Sequence, residues 1–277
     1  MRPNDPSDRQ RAHAEALQWA SRAIQDERAA DAERIARDVL TANAGHPEAA
    51  KILGYALLMQ GRIEEAIASL ERAARSGKNP EIETQLAIAW RRAGDTGKAL
   101  IWLKRAIKRT PPFAAAFHEL GCVLRAQGQT GEAIDVFKQG IAAAPMSVDL
   151  WLQLGSTYIA IKDRANARAA FEQALAVNPG NREAIEGLAT LLLDEGDYAR
   201  AAELLRDIIA ANPDNTEARI ALGNCMLELS QPDTAYACLR SAAARETRMD
   251  RVLGAMVASG RSRFWLRPSD AVKFFKG

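Results

Sequence analysis

One set of residue types returns at an almost constant interval, and that interval constrains the fold more than any other feature. With unit starts at Pro47, Pro80, Ala114, Val148, Arg182 and Thr216, the steps are 33, 34, 34, 34 and 34 residues. The seventh position is always leucine (Leu53, Leu86, Leu120, Leu154, Leu188, Leu222), and the eighth is always small (Gly54, Ala87, Gly121, Gly155, Ala189, Gly223). The twentieth is always alanine (Ala66, Ala99, Ala133, Ala167, Ala201, Ala235). The twenty-fourth is a large apolar residue (Leu70, Leu103, Phe137, Phe171, Leu205, Leu239). Steps of three and four residues return to one face of a helix. Each unit therefore reads as two antiparallel helices that approach closely at small residues. Such a pair cannot bury its apolar face alone and must stack on copies of itself. A chain of 277 residues would otherwise suggest two globular domains; the recurrence predicts one all-helical array instead.

The unit from Val148 to Asn181 carries the fullest form of the pattern: Trp151, Leu154, Gly155, Tyr158, Ala167, Phe171 and Pro179. These residues and spacings resemble the tetratricopeptide repeat, W-x2-L-G-x2-Y…A-x3-F…P. Gly155 and Ala167 let the two helices meet, Phe171 fills the space beside them, and Pro179 stops the second helix. The resemblance covers roughly residues 13–245. It implies a right-handed superhelical solenoid of about seven helix-turn-helix units, whose first helices line a concave groove for peptides or partner helices.

The expected organisation runs as follows. Residues 1–12 are polar, hold two prolines, and read as a disordered lead-in. Residues 13–46 form a degenerate repeat, with Trp19 in place of the usual leucine and Ala20 and Ala32 at the small positions. Regular repeats follow at 47–79, 80–113, 114–147, 148–181, 182–215 and 216–245. In the last of these, Ser230, Gln231 and Pro232 are expected to form a rigid turn. Residues 246–259, with Met249, Leu253 and Met256 at helical spacing, suit a helix that caps the stack. Residues 260–277 form a basic, aromatic tail. From Arg245 onward, eight Lys or Arg stand against three Asp or Glu.

Composition narrows the function. A formal net charge of +2 implies no general affinity for nucleic acid. Three cysteines without short spacing argue against a disulfide framework and for a reducing compartment. No apolar leader or long apolar run is seen, so the expected location is the cytoplasm and no membrane partner is expected. No phosphate loop, nucleophile elbow, zinc-protease helix or paired-cysteine motif is present. His118 and Cys122, four apart on one helix, are the nearest approach to a thiolate–imidazole pair or two metal ligands. No third ligand stands at metal spacing, and a lone helical cysteine is usually a small apolar filler. The expectation is a protein that is not an enzyme and has no cofactor, no metal and no catalytic residues.

What the resemblance implies for the groove is a set of first-helix positions. In the front half these are Lys51, Tyr55, Met59, Thr84, Gln85, Ile88, Arg91, Arg92, His118, Cys122 and Arg125. In the rear half they are Asp149, Gln153, Ser156, Glu183, Glu186, Thr190, Asp194, Glu217, Asn224 and Glu228. The groove is thus expected to be basic in front and acidic behind. The carboxylate clamp of chaperone-binding relatives needs Lys at the fifth and Asn at the ninth position of one repeat, and neither Lys51 nor Asn224 has its counterpart. The asparagine ladder of glycosyltransferase-associated relatives is absent as well. The leading expectation is a scaffold or adaptor for protein partners of unknown identity. The alternative is an accessory or regulatory subunit of a separately encoded enzyme such as a transferase. Phe264, Trp265, Phe274 and Phe275 in the tail are expected to dock, either back on their own groove or on a second molecule to give a homodimer.

Overall fold

A computed structural model describes residues 6–75 and 77–243. Among them are fourteen helices and no strand. They run as successive pairs: α1 (Pro6–Gln25) with α2 (Ala29–Ala42), α3 (Pro47–Met59) with α4 (Ile63–Arg75), and α5 (Pro80–Arg92) with α6 (Thr96–Ala106). Then come α7 (Ala114–Ala126) with α8 (Thr130–Ala143), and α9 (Val148–Ala160) with α10 (Arg164–Val177). The last are α11 (Arg182–Glu195) with α12 (Tyr198–Ala211), and α13 (Thr216–Glu228) with α14 (Pro232–Ala243). The chain divides into two compact units, residues 1–150 and residues 151–277.

Short polar sequences make each reversal. Between pairs, Asn178 and Asn212 accept from the backbone N–H of Gly180 and Asp214, both at 3.2 Å. Asn181 and Asn215 then cap α11 and α13, accepting from Ala184 at 2.9 Å and Ala218 at 3.0 Å. One asparagine closes the turn and the next starts the helix. Pro80 stands at the start of α5 behind the Asn79 cap, where its missing N–H costs nothing. Within pairs, Asp95, Asp163 and Asp197 cap α6, α10 and α12. The residue that turns the first helix into the second has a positive φ of 75° at Gly61 and 79° at Gly196. Ser230, at φ 60°, occupies the same kind of turn without glycine, and α14 follows directly from Pro232.

The recurring small and large residues meet as the pattern requires. Ala66, Ala99, Ala133, Ala167, Ala201 and Ala235 have no exposed surface. Phe137 and Phe171 are among the largest fully enclosed side chains. An added Cβ on Gly155 would lie 2.9 Å from the Phe171 ring.

Two expectations change at the N-terminus. Helix α1 begins at Pro6, not near residue 13; the run from Arg11 to Gln18 is rich in helix formers, which carry the helix back towards the lead-in. Trp19 does not take the leucine role, being 60 % exposed, and Leu17, Ala20 and Ala23 bury the inner face of α1 instead. The expected cap at 246–259 and the tail with Phe264, Trp265, Phe274 and Phe275 lie outside the described residues.

Candidate functional site

The first helices are neighbours: α1 packs on α3, and α5 on α7. In the 1–150 unit this side carries Lys51, Gln85, Arg91, Arg92, His118 and Arg125. The first helices of the 151–277 unit carry Gln153, Glu183, Glu186, Asp194 and Asn224. Gln85 and Gln153 are half-buried, while Glu183 and Asp194 are exposed. Thr84 does not belong with them: it is fully buried and its hydroxyl donates to the Pro80 carbonyl at 2.6 Å. Tyr55 is mostly enclosed as well. Burial, and after it the nearby Glu81 and Glu48 carboxylates, raises the pKa of its hydroxyl, which has no hydrogen-bond partner among the described residues. Asn224 Oδ1 is likewise buried without a partner among them.

The expected separation of charge is largely cancelled by local pairing. Lys51 Nζ lies 2.8 Å from Glu48 and 3.7 Å from Glu81. Arg91 pairs with Glu119 at 3.2 Å, and Arg92 donates to the Leu58 carbonyl at 3.1 Å. In the second unit Arg182 holds Glu186 at 2.6 Å and Arg164 reaches Asp194 at 3.4 Å. Lys51 and Arg91 are thus matched by carboxylates one turn or one repeat away, while Arg92 is tied to a backbone carbonyl. The sequence reading named second-position carboxylates only in the rear half, Asp149, Glu183 and Glu217, and left out their front counterparts Glu48 and Glu81 and the sixth-position Glu119.

His118 and Cys122 do come together, with Nε2 and Sγ 4.0 Å apart. The Cys122 sulfur first, and Glu119 after it, push His118 from 6.5 up to about 10. His118 in turn, followed by Arg91, holds Glu119 below its ordinary value. The result is a chain of opposite charges, Arg91–Glu119–His118, ending at a thiol. Among the described residues no group of three His, Cys, Asp or Glu is placed to hold a metal.

Two clefts open between neighbouring first helices. One, of about 650 Å³, is lined by α1 residues including His13, Gln18 and Arg22, with Asn43, His46 and Glu48 opposite. The other, of about 200 Å³, lies between α11 and α13. Its walls mix apolar Ala189, Leu193 and Ala221 with Glu186, Thr190 and Glu217. Sequence reasoning placed Glu186 and Glu217 here but had no signal for the N-terminal cleft, because the degenerate repeat hides its groove positions.

Paired helices repeated in this way define a helical-repeat protein. The models of tetratricopeptide repeats match residues 23–82 and 192–257 and, in a second form, 118–182 and 152–215. The chain belongs to the tetratricopeptide repeat family, whose fold generally mediates protein–protein interaction. One match runs to residue 257, past the expected boundary at 245. A search of curated proteins found no match. Among solved structures, the C-terminal part of a TPR repeat-containing protein from Cytophaga hutchinsonii is 12% identical, with a TM-score of 0.69 over 86% of this chain and 98% of that one. PilF of Pseudomonas aeruginosa is 19% identical, with a TM-score of 0.61 over 75% and 96%. YrrB, described as a TPR protein with an unusual peptide-binding site, is 19% identical, with a TM-score of 0.57 over 67% and 96%. These likenesses show the shared fold. Among the described residues no helix is long and apolar enough to cross a membrane.

Proposed function

We propose that the chain is a non-catalytic scaffold in the cytoplasm, binding a peptide segment or helix of a partner protein along its first helices. The cleft between α11 and α13 is the observation that carries this reading. Its apolar floor of Ala189, Leu193 and Ala221 with a rim of Glu186, Thr190 and Glu217 suits a side chain with an aliphatic stem and a polar or cationic end. Gln153, His118 and Arg125 offer further half-buried polar contacts on first helices. The description of YrrB as peptide-binding supports the same mode.

Selection of random peptides on the immobilised protein tests this. Peptides should be recovered that lose binding to a Glu186→Lys, Glu217→Lys double variant of unchanged helicity. Peptides that bind both proteins equally would show that another surface is used.

A further inference from the structure

We propose that the exposed face of α6, with the turn that follows it, is a second interaction surface, one that takes an acidic segment of a partner protein. From Thr96 to Phe113 the chain carries Lys98, Lys104, Arg105, Lys108 and Arg109 and no Asp or Glu, in a protein whose net charge is only +2. Three of the five are engaged. Lys98 pairs with Asp95 at 3.2 Å and covers the Trp90 ring at 3.8 Å. Arg105 and Arg109 both reach the buried Glu83, at 2.8 and 2.7 Å. Set against Asp95 and Glu83, five cations leave an excess of three.

Lys104 and Lys108 supply the rest of that excess. Both are exposed, and neither has an ion-pair partner among the described residues. They stand four apart in sequence, Lys104 in the last turn of α6 and Lys108 in the turn that follows it. Beside them Ile101 is 67% exposed. Ile101, Lys104, Arg105, Lys108 and Arg109 together line a shallow depression of about 400 Å³. The free protein thus leaves two ammonium groups without a counter-charge and a large apolar side chain uncovered at one spot. A partner segment with two carboxylates a turn apart and an apolar side chain between them would relieve both.

Other anionic surfaces fit less well. A nucleic-acid backbone needs a track of available cations, and both guanidiniums here are committed to Glu83. A membrane-surface helix needs an outward apolar face, but α6 turns Ala99, Leu103 and Ala106 into the core and leaves Ile101 alone outside.

The test titrates the full chain with a fluorescent helical peptide bearing glutamates four apart and an adjacent leucine, and with its glutamine counterpart. The glutamate peptide should bind, more weakly as salt rises, and the glutamine peptide should not. Lys104→Glu with Lys108→Glu should cut affinity by at least about tenfold, while Glu186→Lys with Glu217→Lys leaves it unchanged. That independence separates this surface from the groove. Equal binding of the two peptides, or indifference to the lysine reversals, overturns the proposal. So does preferential binding of single-stranded DNA, or of phosphatidylcholine vesicles with about one third phosphatidylserine.

Discussion

The Glu83 carboxylate has no exposed side-chain surface and is held by Arg109 through Nε to Oε2 at 3.0 Å and Nη2 to Oε1 at 2.7 Å. Arg105 Nε adds a third contact at 2.8 Å. The cluster ties α5 both to α6 and to the segment that leads on to α7. A buried ion pair contributes little over a well-packed apolar pair, but losing one partner strands the other. Glu83→Gln should therefore destabilise the fold by about 3 kcal/mol. Glu83→Leu combined with Arg109→Leu should recover most of that loss. Urea unfolding of the three proteins checks this, and a Glu83→Gln midpoint equal to that of the parent would show that the cluster is dispensable.

Phe171 and Gly155 make a second linked pair. The two phenylalanines at the twenty-fourth position, Phe137 and Phe171, face Gly121 and Gly155, and Leu70 and Leu239 face Gly54 and Gly223; in the repeats of Leu103 and Leu205 the eighth position is instead Ala87 and Ala189. Gly155→Ala should cost about 1–3 kcal/mol through overpacking against the ring. Adding Phe171→Leu reproduces the Ala87–Leu103 arrangement and should return part of it. Thermal melts of the single and double variants measure the coupling. Strict additivity would mean that the ring has room to move aside.

Much of the fold was legible because the repeat forces it. Leu154, Gly155, Ala167 and Phe171 are contact residues, and contacts recur when the units recur. Glu83 was invisible for the converse reason. It stands at the fourth position of its repeat, where Ala50, Phe117, Trp151 and Ile185 stand in others, and only the folded pair shows that Arg105 and Arg109 converge on it. The groove was half legible. Register placed His118, Arg91 and Glu186 on first helices. It was silent on charge state, because the ion pairs of Lys51 and Arg91 with Glu48, Glu81 and Glu119, and of Glu186 with Arg182, show only in the folded repeats. Trp19 misled because the degenerate repeat keeps buried alanines at its close contacts, Ala20 and Ala32, while its seventh position is exposed and so carries no packing signal.

The turns predict a gain in stability. Lys162 and Ser230 hold φ of 63° and 60° where the equivalent turns use Gly61, Gly94, Gly128 and Gly196. A side chain in that region costs of order 1 kcal/mol, partly offset by the greater freedom of glycine in the unfolded chain. Ser230→Gly should raise stability by up to about 1 kcal/mol, and Lys162→Gly by a similar amount. A lower melting temperature for both variants would mean that these side chains make compensating contacts.

The His118–Glu119 pair predicts how stability follows pH. His118 is raised from 6.5 to about 10, so its contribution is complete below its unfolded value and is lost as pH climbs through the folded one. Glu119 is lowered from 4.5, so its contribution is present above that value and fades as pH falls. The charges facing the imidazole are the Glu119 carboxylate and, beyond it, Arg91, with the Cys122 thiol on the other side. His118→Gln removes the upper limb and, because the imidazole is the first of the groups that hold Glu119 down, weakens the lower one as well. The difference in melting temperature between parent and variant should be widest near pH 6 and shrink steadily towards pH 10. Arg91→Gln should leave the upper limb in place while weakening the hold on Glu119, so its deficit should be present above pH 4.5 and shrink as pH falls below that value. A parent–variant difference for His118→Gln that stays constant from pH 6 to 10 would show that the imidazole carries no proton in the native protein over that range.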